Sequence, residues 1–347
     1  MAIDGSVYSK NQFRCAIAEE ADFGTAITTQ TDFQELHLTE AVQIDYSSVI
    51  RDVQKKTDGK RVLSPEDVFV TRAGSDLTIT MNGIATRETL ALLIYGVMQD
   101  LDSEGATPAF KKTFHWDGST TGVDGDGHPN IHFTILGYNP ADNESWSVKS
   151  AVLKTLTINH DAGSNGGRVS FSATFFSGFQ HSIDVTATPS SWASSGNDYY
   201  KLNDLDVKTV ASSDIVSGAF AITLENNCTR IGYDTSGNAQ LYAFGIGGDG
   251  FAVSGELSCK YDAYSKDELD KFLVSPSDGS AESAIIFSFN DGGQTELKFT
   301  ANAVYTGNSL DFGNDAGVFV GLPWQGIDDD TNAAILIELS DQTDRSW

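Results

Sequence analysis

The chain has 347 residues, of which 40% are hydrophobic and 10% aromatic. This composition is rich enough to build buried cores and excludes a disordered chain. The 48 acidic residues outnumber the 22 basic ones and give a formal net charge of −26. That balance disfavours a surface that grips nucleic acid through its phosphates. It favours a soluble surface that repels polyanions, although a saline habitat selects for the same composition.

The three cysteines give no sign of a disulfide framework or a zinc site. Cys15, Cys228 and Cys259 are far apart in sequence and form no CxxC pair. We interpret them as buried hydrophobic side chains of a protein made in a reducing cytoplasm. The opening residues, MAIDGSVYSK, lack the basic start and apolar stretch of a signal peptide. The longest apolar run, residues 90–98, is too short to cross a bilayer.

Strand patterns dominate the sequence. Alternating or β-branched runs are separated by clusters of Gly, Asn, Asp and Ser, which favour turns. The runs are Phe33–Tyr46, Val68–Val70, Asp76–Met81, Ile131–Leu136, Val152–Ile158, Val169–Phe176, Ala219–Leu224, Phe251–Lys260, Ala284–Phe289, Glu296–Val304, Val318–Val320 and Ala333–Leu339. The pattern predicts a mainly β fold of the α+β kind.

Two segments have helical periodicity. Thr86–Met98 begins with a capping-type threonine and places Leu90, Leu93 and Ile94 on one face. Ser265–Leu273 begins with a capping box formed by Ser265 and Glu268. One helix in each half of the chain predicts two sheet sandwiches, each with one flanking helix.

The order of these elements predicts an internal duplication, with chance similarity between two β-rich halves as the alternative. Residues 181–213, rich in Ser, Thr and Asn, are the predicted connector. The matching segments are Leu38–Tyr46 with Leu224–Tyr233, Leu77–Gly83 with Gly255–Tyr261, His132–Pro140 with Ala284–Gly292, Leu156–Gly163 with Leu310–Gly317, and the closing strands Val169–Phe176 with Ala333–Leu339.

Motifs for catalysis or cofactor binding are not found. The sequence has no GxxxxGK[ST], HExxH or GxSxG motif and no dinucleotide fingerprint between a strand and a helix. His160–Asp161 is interpreted as a turn, because neighbouring strand residues point in opposite directions. Asp124–His128 lacks the later ligands of a calcium loop. We therefore predict a protein that is not an enzyme and has no catalytic, metal or cofactor site.

The chain resembles the tail tube (major tail) proteins of long-tailed bacteriophages. The similar segments are Glu20–Ala41 (EADFGTAITTQTDFQELHLTEA), the first-half core DLTITMNGIATRETLALLIYG, Leu153–Gly178, Val216–Asn227, Phe251–Leu273 and Val318–Leu339 (VFVGLPWQGIDDDTNAAILIEL). The resemblance covers most of the chain from about residue 13 onward. It rests on the overall pattern and not on an invariant signature.

The resemblance implies two tandem tail-tube-like β-sandwich or barrel modules, each with a flanking helix, whose sheets join those of neighbouring copies. The corresponding boundaries are an N-terminal arm at 1–28, a first module at 29–180, a linker at 181–213 and a second module at 214–347. Since simple tube subunits assemble six to a ring, a two-module chain is expected to form homotrimeric, pseudo-sixfold rings. These rings would stack into the hollow tail tube of a virion.

The same resemblance implies the partners. These are further copies of the chain, a tape-measure protein, a tail terminator and distal tail or tip proteins, with no membrane contact. Double-stranded DNA would pass through the tube without specific binding, and an acidic wall would repel it. The densest basic group is predicted to be a solvated hairpin, with Arg51, Lys55, Lys56, Lys60 and Arg61 as candidate contacts to the adjacent ring. The N-terminal arm, Met1–Thr28, is a second candidate for this contact, and the alternative is that both segments are only flexible surface.

Two other classes of function fit a β-rich chain. A carbohydrate-binding or adhesin-like tandem β-sandwich on the virion surface would use exposed aromatic side chains, with Trp116, Trp146, Trp192 and Trp324 as candidates. A polysaccharide-degrading enzyme would need a pair of carboxylates at a defined separation. With 48 acidic residues such a pair can always be chosen, so this reading has no support.

Overall fold

The computed structural model describes residues 13–46, 51–57, 59, 62–70, 77–98, 103–104, 110–116, 131–140, 144–201, 205–208, 217–230, 244–246, 251–271, 282–291, 294–312, 317–328 and 333–341. In this part the protein is mainly β, as the sequence predicts, with helices α1 (Arg87–Met98) and α2 (Ala263–Lys271).

The strands are numbered in chain order. In the first half they are β1 (Arg14–Glu19), β2 (Gln34–Glu35), β3 (Gln43–Tyr46), β4 (Arg51–Val53), β5 (Val68–Val70), β6 (Leu77–Ile84), β7 (Ser103–Glu104), β8 (Phe110–Trp116), β9 (Phe133–Asn139), β10 (Glu144–Asp161), β11 (Ser170–Ser177) and β12 (Ser182–Ile183). In the second half they are β13 (Leu205–Lys208), β14 (Ser217–Glu225), β15 (Cys228–Arg230), β16 (Phe244–Ile246), β17 (Ala252–Lys260), β18 (Glu282–Asp291), β19 (Gln294–Tyr305), β20 (Ser309–Asp311), β21 (Phe319–Gly326) and β22 (Ile335–Asp341).

One antiparallel sheet runs through both halves and is called the long sheet here. Its strand order is β3, β6, β11, the C-terminal part of β10, β14, β17 and β21. Beyond β21 the order ends with the last residues of β19 and with β20, which pair side by side along β21. A single hydrophobic cluster lies against one face of this sheet and includes residues of both halves.

Two further sheets contribute to the same core. In the first half, β2, β1, β9, the N-terminal part of β10 and β12 pair in that order. In the second half, the order is β13, β18, β19, β22, β8 and β7. The strands β7 and β8 therefore belong by sequence to the predicted first module, but β8 pairs with β22 of the second half and β7 extends that sheet by pairing with β8.

Strand β10 passes from one layer to the other at Ser150, which has a left-handed φ of 50°. A residue with a Cβ adopts this conformation only where its surroundings hold it. The buried carboxylate of Glu20 provides that support, because it accepts hydrogen bonds from the Ser150 backbone N–H and hydroxyl, both at 2.8 Å. It also accepts one from the Thr134 hydroxyl at 2.6 Å. Burial of this carboxyl raises the pKa of Glu20.

Helix α1 matches its prediction closely. The predicted apolar side chains Leu90, Leu93 and Ile94 are fully buried, and the helix packs against β10, β14 and β22. The Thr86 hydroxyl accepts a 3.4 Å hydrogen bond from the Thr89 N–H, as a capping residue does.

Helix α2 differs from its prediction at the start. The reciprocal hydrogen bonds of a capping box join Asp262 and Ser265, because the Ser265 N–H donates to Oδ1 of Asp262 and the Asp262 N–H donates to Oγ of Ser265. The helix thus begins two residues earlier than expected, and the predicted capping role of Glu268 is wrong. The end of the predicted helix, residues 272–273, lies outside the described residues.

The predicted N-terminal arm and connector are largely built into the fold. Strand β1, within the predicted arm, has a buried centre and pairs along β9. In the predicted connector, β12 pairs with β10, while Trp192 and Tyr200 are buried. Both segments bury aromatic or β-branched side chains. In the connector these few side chains stand among many Ser, Thr and Asn residues, so the composition alone did not indicate their burial.

The three cysteines are buried and free of disulfides, as interpreted from the sequence. Burial raises the pKa of Cys15 to about 12 and that of Cys228 to about 11, so these thiols stay protonated at neutral pH. None of the helices in the described ranges is long and apolar enough to span a membrane.

Candidate assembly interface

The two halves of the chain are joined edge to edge in the long sheet. Residues 155–161 of β10 pair with residues 219–225 of β14 in a continuous antiparallel register. On the core face, the opposed side chains Ile158 and Ile222 are fully buried. On the other face, the hydroxyls of Thr157 and Thr223 lie 3.1 Å apart and form a hydrogen bond across the joint. The junction is therefore packed like the interior of a sheet and not like a contact between independent domains.

His160 lies at the end of this joint and belongs to an aromatic cluster with Phe220 and Phe289. Its ring stacks on Phe220 at 5.4 Å between centroids and meets the edge of Phe289 at 6.1 Å. Neither ring nitrogen makes a hydrogen bond of normal geometry. Burial lowers the pKa of His160, and the charge of Asp161 and the nearby Gly167 backbone offset this shift only in part. The predicted turn is formed by Asp161 alone, whose Oδ1 accepts a 2.8 Å hydrogen bond from the Gly163 N–H.

His160 makes the joint sensitive to acid. Below its ordinary pKa of 6.5 the unfolded chain binds a proton at this histidine and the folded chain does not, so stability falls as the pH decreases through this region. The limiting slope is about 1.4 kcal/mol per pH unit. In urea unfolding at pH 7.5 and pH 5.0, His160→Phe is expected to lose less stability on acidification than the wild-type chain. The exposed-site control His181→Gln should behave like wild type; equal losses in all three would contradict the assignment.

The ends of the long sheet present strand edges. Among the described residues, β3 pairs only with β6, and β20 pairs only with β21. Next to the β20 edge, Leu310 is 44% exposed and Phe312 is 75% exposed. An open strand edge flanked by large apolar side chains is a template for pairing with another chain. Sequence reasoning did not single out these two residues, although the match of Leu310–Gly317 with Leu156–Gly163 was the available signal.

The predicted basic hairpin at 51–61 supplies only one strand and part of the loop of a longer hairpin, in which β4 pairs with β5. This hairpin, formed by β4, β5 and the loop between them, is called the arm here. Arg51 begins β4, which pairs with β5, and Lys55 and Lys56 follow it with exposed side chains. The structure pairs these two lysines with acidic neighbours in the arm, Lys55 with Asp67 at 3.3 Å and Lys56 with Glu66 at 3.6 Å. Lys60 and Arg61 lie outside the described residues.

The arm also exposes apolar side chains. They are Val53, Val62, Leu63 and Val68, of which Val62 is the most exposed at 71%. An arm with partly neutralised lysines and several exposed aliphatic side chains fits a protein contact better than a purely electrostatic one.

Asp67 organises the loop of the arm. It accepts hydrogen bonds from the backbone N–H groups of Ser64 at 2.7 Å and Lys56 at 2.9 Å, and from the Ser64 hydroxyl at 3.1 Å. The loop itself covers this side chain from solvent. These hydrogen bonds hold the pKa of Asp67 well below its usual value of 3.8. The stabilisation that ionised Asp67 gives to the loop is therefore fully present above pH 3.8 and is lost only as the pH falls further, toward the lowered pKa.

Replacement of Asp67 tests whether the arm is preformed. Asp67→Ala removes the acceptor that joins both sides of the loop, so we expect limited proteolysis to cut the arm several times faster while the melting temperature of the body stays unchanged. Glu66→Ala is the matched control, because this exposed neighbour makes only an ion pair in the described loop. Equal cleavage rates of the two variants would contradict the role of Asp67.

The face of the long sheet that points away from the core is rich in hydroxyl and amide groups. Alternation along the strands places small polar side chains there. They are Thr78, Thr80 and Asn82 in β6, Thr155, Thr157 and Asn159 in β10, and Ser170, Ser172 and Thr174 in β11. Glu225, Glu256 and Lys260 add sparse charges of both signs on β14 and β17.

Three of the four candidate tryptophans have side chains that the structure describes, and two of the three are buried. Trp324 and Trp192 are 1% and 7% exposed, so their expected exposure is wrong. Trp324 lies across Gly255 on β17, where any side chain would collide with the indole ring. Trp146 lies over Gly137 and is partly buried against the core, and the side chain of Trp116 is not among those described.

No protein-family model matches the chain, and no curated protein sequence is significantly similar to it. In the described ranges, no group of three or more His, Cys, Asp or Glu side chains is placed to hold a metal ion. The Asp124–His128 segment lies outside these ranges. In the part of the chain that the structure describes, the sheet edges and the arm are therefore the candidate functional site.

Proposed function

We propose that the chain is a structural subunit that assembles with copies of itself into rings, and that these rings stack into the hollow tail tube of a bacteriophage virion. The observation that supports this most is the β10–β14 joint. One chain already contains a sheet-to-sheet junction of the kind that a ring needs, and the sheet beyond it ends in open edges.

The order of strands supports two tandem modules. In the first half the long sheet runs β3, β6, β11, β10, and in the second half it runs β14, β17, β21, then β19 and β20. In each half a two-stranded arm, β4–β5 or β15–β16, lies between the first two of these strands in sequence. A helix follows the second strand in both halves. The agreement in pairing order, two-stranded hairpin and helix supports a repeat over chance similarity of two β-rich halves.

The arrangement favours closed rings over simple dimers. The two open edges, β3 and β20, are different surfaces, so the contact they form is heterologous and repeats from copy to copy until it closes. Two modules in each chain make a ring of three chains pseudo-sixfold. The arms would then contact the adjacent ring, which keeps Arg51, Lys55 and Lys56 as proposed contact residues, with Lys60 and Arg61 as the sequence predicts.

The polar face of the long sheet is the proposed wall of the channel. If the long sheets of neighbouring copies close into a barrel, the layer that contains α1 and the other two sheets is bulkier than the long sheet. This layer therefore lies on the outside of the barrel, where the circumference is greater, and the polar face of the long sheet lines the inside. The wall would then consist mainly of hydroxyl and amide groups, with fewer charges than the acidic lining expected from the composition. A duplex in transit finds few cations to bind there, because stable DNA binding needs clustered Lys and Arg at the phosphates.

The remaining partners follow from the same proposal. A tape-measure protein, a tail terminator and distal tail or tip proteins would contact the channel and the two ends of the tube. The chain would be made in the host cytoplasm and reside in the virion.

Negative-stain electron microscopy of the purified chain tests the proposal. We expect annuli that stack into tubes when the concentration is raised or when tail-tip components are added. A chain that stays monomeric under all these conditions would overturn it.

A further inference from the structure

If the two halves are repeats, the strand register of the β10–β14 joint within the chain predicts the strand register of the contact between two copies. The argument rests on the proposed function and starts from one sequence match, Leu77–Gly83 with Gly255–Tyr261, which aligns Met81 with Cys259. In the structure Met81 lies opposite Ala173 of β11, and Cys259 lies opposite Val320 of β21. Ala173 and Val320 are therefore equivalent positions.

A second step reaches the strands at the joint. Ala173 lies opposite Leu156 of β10, and Val320 lies opposite Leu310 of β20. The strand pairing thus makes Leu156 and Leu310 equivalent, and the separate sequence match of Leu156–Gly163 with Leu310–Gly317 gives the same result. Two independent lines agree on the register, and Phe312 follows as the equivalent of Ile158.

The opposite side of the joint is aligned in the same way. Ile222 of β14 lies opposite Gly255 of β17, and Tyr46 of β3 lies opposite Leu77 of β6. Because Leu77 and Gly255 are matched in sequence, Tyr46 is the equivalent of Ile222. Within the chain Ile158 and Ile222 face each other directly.

We propose that the segment that continues β20 through Phe312 pairs antiparallel with the end of β3 in the next copy, with Phe312 directly opposite Tyr46. This contact repeats the β10–β14 joint between copies and continues the long sheet around the ring. Its partner is a second copy of this chain.

The exposure of equivalent residues supports this contact. Leu156 and Ile158 are fully buried, since β14 lies beside them, whereas Leu310 and Phe312 are 44% and 75% exposed. The second pair has the apolar character of the first, and among the described residues no strand pairs with β20 on the side away from β21. Removal of these two apolar side chains from water at every contact of a ring would favour association.

Disulfide trapping tests the register. The double variant Tyr46→Cys/Phe312→Cys places thiols at directly opposed positions, which lie about 4.5–5.5 Å apart between Cα atoms in an antiparallel pair. The control Tyr46→Cys/Leu310→Cys shifts one thiol by two residues, beyond the separation of about 7 Å that a disulfide tolerates. The native cysteines are buried in the fold and stay in both variants. Far-ultraviolet circular dichroism verifies that each variant is folded.

After mild oxidation and non-reducing electrophoresis, we expect at least about tenfold more covalent dimer and trimer from the 46/312 pair than from the 46/310 pair, because only the first satisfies disulfide geometry. Rings that form without 46/312 cross-links, or that cross-link better through 46/310, would overturn the register and leave the proposed function standing. Folded variants and wild-type chains that remain monomeric would overturn both.

Discussion

The Phe312→Asp variant is expected to fold as a stable monomer and to form no rings. Phe312 is 75% exposed in the single chain, so its replacement should change the free energy of unfolding by no more than about 0.5 kcal/mol. In an assembled ring the aspartate would be buried at an apolar contact without a cationic partner, which opposes association strongly. Sedimentation velocity at rising protein concentration measures the loss of assembly, and thermal unfolding verifies the fold.

Two companion variants separate the possible causes. Ile158→Asp makes the same chemical change at the equivalent, fully buried position and is expected to cost more than about 4 kcal/mol, enough to unfold many chains. Leu63→Asp places a charge on the exposed arm and is expected to leave rings intact while preventing their stacking. Rings formed normally by Phe312→Asp would contradict the edge contact, whatever the other two variants do.

Removal of the Glu268 carboxylate is expected to cause the largest loss of stability in the second half. Glu268 is 5% exposed and accepts hydrogen bonds from the Lys271 ammonium at 2.9 Å, the Ser283 hydroxyl at 2.6 Å and the Tyr305 hydroxyl at 2.8 Å. It thereby ties α2 to β18 and β19. Burial and the nearby carboxylate together raise the pKa of Tyr305, so the phenol remains a hydrogen-bond donor at every ordinary pH.

Glu268→Leu leaves a lysine ammonium and two buried hydroxyls without this acceptor, which costs about 3–5 kcal/mol. Tyr305→Phe removes one hydrogen bond and should cost about 1–2 kcal/mol. The free energies of unfolding in urea are best compared with each substitution made in the Phe312→Asp chain. Assembly of the wild-type chain would otherwise add a contribution to the apparent stability that depends on protein concentration. Glu256→Leu, at an exposed position of β17, is the matched control with little expected effect. A loss below 1 kcal/mol for Glu268→Leu would show that the network is not structural.

The sequence predicted the parts of the fold that depend on local periodicity. The strands β6 and β17 follow from alternation, and the helix α1 follows from its apolar periodicity and its capping threonine. Helix α2 was found from its apolar periodicity, although its predicted cap is wrong. Two of the sequence matches do not fit the proposed repeat. If Leu77 and Gly255 are equivalent, the strand pairing aligns Tyr46 with Ile222 and not with Tyr233, and it makes β21, not β22, the counterpart of β11.

The remaining errors have a common physical cause. The periodicity of a segment indicates its secondary structure but not the distant strand with which it pairs. Nothing in residues 110–116 indicates that β8 joins β22 of the other half. The same holds for Trp192, buried inside a Ser-rich connector, and for Glu268, which serves a buried network and not the helix cap. The contact between copies was predicted at a basic hairpin. The open strand edge with Leu310 and Phe312 could be identified only once the pairing of β20 with β21 was known.

Native mass spectrometry of the assembled rings, combined with class averages that show their rotational symmetry, tests the central claim most directly. The account predicts rings of three chains, each of 37.2 kDa, with a sixfold appearance. A persistent monomer, or a closed twofold dimer that adds no further copies, would contradict it.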